Sequence, residues 1–81
     1  MQITVYSNPN CVQCEQTKKW LTRKELRFES KMIADSPEVQ AIIDANKFQS
    51  APVVVAGDKV WSGFRLDHLT DIAHEIAAKE K

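Results

Sequence analysis

Residues 52–56 read P-V-V-V-A, a continuous β-branched run of the kind that suits a central strand. A central strand needs partners, and this chain has 81 residues in which to supply them. That length allows one domain, residues 1–81, and no second core. Gly57-Asp58 separates the run from Lys59-Val60-Trp61, which reads as a tight hairpin with Gly at the first turn position. Upstream, residues 2–6 alternate in strand fashion around Ile3 and Val5. Residues 27–33, R-F-E-S-K-M-I, form a weaker strand pattern around Phe28.

Helical sequence fills the intervals. After the turn formers Ser7-Asn8-Pro9-Asn10, no Gly or Pro interrupts Cys11 to about Arg23, and Trp20 and Leu21 are the expected anchors. Asp35-Ser36-Pro37-Glu38 marks a second helix start, with Ser36 as N-cap and Pro37 at the first helical position. Val39, Ile42, Ile43 and Asn46 follow at helical spacing. A third helix starts near Leu66, with Leu66, Leu69, Ile72, Ala73, Ile76 and Ala77 as its apolar stripe. Its K-E-K end is expected to fray into solvent. The order β-α-β-α-β-β-α opens on parallel strands joined by a helical crossover and closes on an antiparallel hairpin. Three helices around one mixed four-stranded sheet is the outline of an α/β thioredoxin-like fold.

Composition narrows the function. Lys plus Arg and Asp plus Glu both total 11, so the basic excess that meets phosphates in nucleic-acid binding is missing. No window approaches the roughly 18 apolar residues of a membrane span. The N-terminal M-Q-I-T-V-Y lacks a signal-peptide pattern. A cytoplasmic monomer is the expectation, and there thiols stay mostly reduced.

The two cysteines, Cys11 and Cys14, stand at C-x-x-C spacing between the first strand and the first helix. A bridge between them closes too short a loop to act as a staple, because cross-link stabilisation grows with loop length. Three uses remain: electron exchange, metal binding, or core filling. Zinc wants four ligands. His68 and His74 are six residues apart, which on a helix turns the rings roughly 120° away from each other. Inert burial is common for cysteine, but a helix start just after a turn favours exchange. Unpaired N–H groups and the helix dipole favour an anion at Cys11, lowering its thiol pKa below the free value of about 8.5. Cys11 is then the nucleophile, and Cys14, one turn further in, resolves the mixed disulfide.

C-V-Q-C after the first strand, A-P-V-V-V near residue 52 and W-S-G-F-R at 61–65 together resemble the NrdH-redoxins, small glutaredoxin-like proteins with thioredoxin-like activity. The resemblance covers essentially the whole chain. It implies a glutaredoxin-type fold and a redoxin with no bound cofactor. Electrons would come from NADPH through thioredoxin reductase and pass to the catalytic subunit of a class Ib ribonucleotide reductase. It further implies a cis bond at Ala51-Pro52, whose backbone would pair with an extended partner segment. Val12, Gln13, Trp61, Ser62, Gly63, Phe64 and Arg65 complete the partner-binding set. Within 61–65, Gly63 and one aromatic are expected to serve folding, and Ser62, Phe64 and Arg65 shape and partner contact.

Two positions depart from the family pattern. Leu66 replaces the Pro that usually follows W-S-G-F-R, which is expected to loosen the last helix start without touching the chemistry. Asn8 replaces the common Lys of a Y-T-K pattern, removing a positive charge near Cys11. The competing enzyme reading is a glutathione-dependent glutaredoxin. Glutathione binders tend to carry G-G-C-x-D after the hairpin, and here S-G-F-R-L stands in its place. Phe64 and Arg65 disfavour that pocket by bulk and charge. The reading from a different class is a small metal-binding or interaction module.

Overall fold

In the computed structural model, which describes residues 2–79, the P-V-V-V-A run yields β3 (Val53–Ala56). It lies inside the sheet, between β1 (Ile3–Ser7) and β4 (Lys59–Ser62), and β2 (Glu29–Met32) completes the order β2-β1-β3-β4. β1 runs parallel to β2 and antiparallel to β3, and β3 is antiparallel to β4. Three helices surround the sheet: α1 (Val12–Arg23), α2 (Pro37–Asn46) and α3 (Leu66–Lys79).

Alternation along the strands divides the core between two faces. Ile3, Val5, Val54, Ala56 and Trp61 pack with Leu21 of α1 and with Leu69 and Ile72 of α3. Tyr6 and Val53 face the other way and pack with Val39 of α2. Both faces of β3 are therefore covered, which is why its sequence does not alternate with polar residues. Each fully buried Val, Leu or Ile contributes about 1.5–3 kcal/mol through the apolar surface it removes from water. Gly57 opens the two-residue turn to β4 at φ +63, a conformation that primed hairpin turns require and glycine adopts freely.

Several boundaries differ from the sequence reading, each for a local reason. β1 begins and ends one residue later, because Ser7 still pairs with Met32. β2 is shorter than 27–33: β1 turns away after Ser7, so Ile33 has no ladder partner and starts a 3₁₀ turn, Ile33–Asp35. Ser36 occupies the N-cap of α2, but its side chain makes no capping bond; Pro37 presets the first turn. In α1 the buried stripe is Cys14, Thr17 and Leu21, with Trp20 only half-buried. Leu66 is 52% exposed, since it opens α3 beyond the end of β4 and does not reach the sheet. Ala77 is exposed as well. The expected fraying at K-E-K falls on residues 80 and 81, which lie outside the described residues.

Candidate active site

The register Tyr6↔Val53↔Ser62 brings three distant segments to one end of the sheet. These are the turn leading into α1, the loop before β3, and the exit from β4. The turn into α1 bends at Asn10, which takes φ +56, a left-handed conformation that Asn tolerates better than most residues. Cys11 follows in extended conformation and serves as the N-cap of α1.

At that position the Cys11 sulfur accepts the Cys14 backbone N–H at 3.2 Å. The two sulfurs lie at bonding distance and the Cα atoms 5.2 Å apart, a separation that a disulfide spans readily. Cys11 is half-buried, whereas Cys14 is 1% exposed against the sheet. The arrangement presents one sulfur to a partner and keeps the other behind it. When the pair is reduced, the same N–H and the helix N-terminus stabilise a thiolate on Cys11. The Ala51 carbonyl oxygen lies 3.7 Å from the Cys11 sulfur and is available to accept the proton of the neutral thiol.

The Ala51-Pro52 bond is cis, in agreement with the resemblance. Pro52 is fully buried, and its carbonyl accepts the Gly63 N–H at 2.8 Å. That bond ties the loop before β3 to the segment 61–65. Ser50 and Ser62 hydroxyls meet at 3.4 Å across the same junction. From α1, Gln13 Oε1 accepts the Phe64 N–H at 3.0 Å. The dithiol, the proline loop and W-S-G-F-R thus form one hydrogen-bonded unit.

The residues of that unit divide by exposure. Val12 is 72% exposed beside Cys11, Gln13 and Arg65 are exposed, and Ser62 and Phe64 are half-buried. Trp61, expected among the partner-binding residues, is 3% exposed and belongs to the core, with its ring stacked on His68 at a centroid distance of 5.0 Å. Pro52 and Gly63 are likewise buried and offer a partner no side-chain surface. These three shape the site from behind, as Trp61 carries enough apolar area to hold β4 and α3 together.

Gly63 sits at φ +83, and a Cβ there would lie 3.0 Å from Gln13 Oε1 and 3.6 Å from Ser50 Oγ. Gly63→Ala is expected to cost about 1–3 kcal/mol, from the left-handed backbone and the lost Gln13–Phe64 bond. A urea titration measures it, and a loss below about 0.5 kcal/mol would mean the junction adjusts freely.

Sequence reasoning missed two participants. Ser50 makes its contact across the sheet end, and such pairing leaves no local pattern. Asp67 stands one residue past the place where the glutathione-binding pattern carries its acid. Its carboxylate holds the Arg65 guanidinium at 3.2 Å. The His68 backbone N–H, followed by Arg65, keeps its pKa below the ordinary aspartate value. An acid is therefore close at hand, but engaged within the chain. Asn8 is exposed and lines a cavity of 170 Å³ floored by Ile33, Ile43, Phe48 and Val53. Among the described residues no three His, Cys, Asp or Glu side chains gather as a metal site. No helix among them is long and apolar enough to cross a membrane.

Comparison with known proteins agrees with this geometry. The glutaredoxin family profile matches residues 3–61. The glutaredoxin-like protein NrdH of Lactococcus lactis is 42% identical over 72 residues, covering 88% of this chain and 99% of that protein. Its Escherichia coli counterpart is 42% identical over 67 residues, 83% of each protein. The solved structure of the Escherichia coli NrdH-redoxin, described as glutaredoxin-like with a thioredoxin-like activity profile, superposes with a TM-score of 0.79. There the identity is 39%, with 89% of this chain and 95% of that one covered.

Proposed function

Because the chain belongs to the glutaredoxin family, among its NrdH-type members, and is accordingly a thiol–disulfide oxidoreductase, we propose that it carries electrons from NADPH-dependent thioredoxin reductase to a class Ib ribonucleotide reductase. The observation that supports the cycle is the asymmetry of the pair: Cys11 accessible at a helix N-cap, Cys14 buried behind it.

In the proposed cycle the Cys11 thiolate attacks one sulfur of the acceptor's disulfide. A mixed disulfide forms, and the displaced acceptor thiolate takes a proton from solvent. Cys14 then gives up its proton and attacks the Cys11 sulfur. The second acceptor thiol leaves, and the Cys11–Cys14 disulfide closes. Two electrons and two protons have moved to the acceptor, and the reductase returns them by the reverse exchange. Attack by Cys14 is intramolecular, so a trapped acceptor is released quickly. No bound cofactor enters the cycle, and the protein works as a cytoplasmic monomer.

Recognition falls to the residues around Cys11. Val12 and Phe64 give an apolar rim, while Gln13 holds Phe64 in place. The backbone of Ala51 offers a hydrogen-bonding edge to an extended acceptor segment, in the manner of an added strand. Phe64 and Arg65 oppose a glutathione pocket by bulk and charge.

Reconstitution tests the acceptor. With NADPH and thioredoxin reductase, the chain is expected to sustain many turnovers of a class Ib ribonucleotide reductase at catalytic concentration. A reductase that stops after the turnovers stored in its own thiols would refute that acceptor.

A further inference from the structure

Behind the active site, the second half of α1 and the turn after it carry a concentration of positive charge that the balanced total conceals. Residues 16–27 hold Lys18, Lys19, Arg23, Lys24 and Arg27 against Glu25 alone. Lys18 is paired with Glu15 at 3.3 Å, and the Lys24 ammonium sits 5.6 Å from the centre of the Trp20 ring. Lys19 and Arg23 have no acidic partner among the ion pairs of the described residues. Both line an open groove of 210 Å³ with Gln16, Trp20 and Phe64.

Helical spacing accounts for the groove. Positions 16, 19, 20 and 23 follow i, i+3, i+4, i+7, so they share one face of α1. Trp20 and Phe64 are half-buried and form an aromatic floor, while Lys19 and Arg23 are exposed at its edge. The groove is continuous with the site already described, because Gln13 fixes Phe64 through its N–H.

We propose that this groove docks an acidic segment of the disulfide-bearing partner, next to the cysteine that Cys11 attacks; the inference rests on the dithiol reading above. Two unpaired cations beside aromatic rings are complementary to carboxylates carried on an apolar stretch. Spacing makes the pairing specific. Lys19 and Arg23 lie about 10 and 16 Å along the helix from Val12, at 1.5 Å per residue. An extended peptide advances about 3.3 Å per residue. Carboxylates about three and five residues from the partner's reacting cysteine meet Lys19 and Arg23 in turn.

The test uses two cyclic peptide disulfides, identical except for Glu or Lys at the third and fifth positions from the reacting cysteine. Bis(2-hydroxyethyl) disulfide serves as an uncharged substrate. The native chain is expected to show a KM about five-fold lower for the Glu peptide at low salt, a preference that shrinks as ionic strength rises. The Lys19→Glu/Arg23→Glu variant should reverse the preference and still reduce the uncharged disulfide at the native rate. Lys19→Gln/Arg23→Gln should erase the preference, which provides the test if charge reversal impairs folding. Equal KM values for the two peptides, or a preference that survives both variants, would overturn the proposal. Failure to reduce even the uncharged disulfide would instead remove the dithiol reading, and the groove proposal with it.

Discussion

Cys11→Ser is expected to reduce disulfide turnover to the uncatalysed background, while Cys14→Ser is expected to stall midway with the partner attached. Both results follow from where the sulfurs sit. Cys11 is the accessible one, and it receives the Cys14 N–H at the N-terminus of α1. A serine hydroxyl there stays protonated at neutral pH and cannot act as the attacking thiolate. Cys14, 1% exposed, cannot reach an external disulfide in its place. Its removal leaves the first step intact and deletes the second, so the mixed disulfide accumulates. Non-reducing electrophoresis and intact mass measure this directly, as a partner-sized adduct in Cys14→Ser that is absent from Cys11→Ser. Turnover retained by Cys11→Ser, or an adduct formed through Cys14, would reverse the assigned roles.

Leu21→Ala is expected to cost about 2–5 kcal/mol, the range for deleting a large apolar side chain from a packed core. Leu21 is 0% exposed and joins α1 to Ile3, Val5 and Val54 of the sheet. The other buried residues of α1 are Cys14 and Thr17, and Thr17 Oγ1 donates to the Gln13 carbonyl at 2.9 Å within the helix. Leu21 is therefore the main apolar attachment of the helix that carries the dithiol. Domains of this kind have only about 5–15 kcal/mol of total stability, so a large share would be lost. Urea denaturation followed by tryptophan fluorescence gives the value. Trp20→Ala, at a half-buried position on the same helix, is the comparison and should cost less. A Leu21→Ala loss under about 1 kcal/mol would mean α1 is held by something else.

Much of this was legible in the sequence because local chemistry and global position agreed. Val53, Val54 and Val55 announce an inner strand, Gly57-Asp58 its hairpin, and Ser7-Asn8-Pro9-Asn10 the start of the first helix. Misread elements were those whose state depends on a neighbour. β2 is an edge strand whose four residues are all exposed, so its extent is decided by where β1 stops pairing. Leu66 continues the α3 stripe on paper, yet opens the helix past the sheet end and stays in solvent. The hydrogen bond from Phe64 N–H to Gln13 spans 51 residues, and no periodicity reports a contact of that kind. Trp61 stands in the partner-binding set by resemblance, and it is the aromatic of 61–65 that serves folding, because β4 alternation turns it toward α3. Asp67 escapes the pattern for a simpler reason: it sits one position beyond the acid of G-G-C-x-D.

The central claim concerns the source of the electrons, and one measurement addresses it. NADPH oxidation is followed with thioredoxin reductase, a protein disulfide substrate and this chain, with glutathione omitted. The account predicts oxidation that scales with the amount of the chain and vanishes in Cys11→Ser. Oxidation that appears only when glutathione and glutathione reductase replace thioredoxin reductase would contradict it. Phe64 and Arg65 would then have failed to keep the tripeptide out.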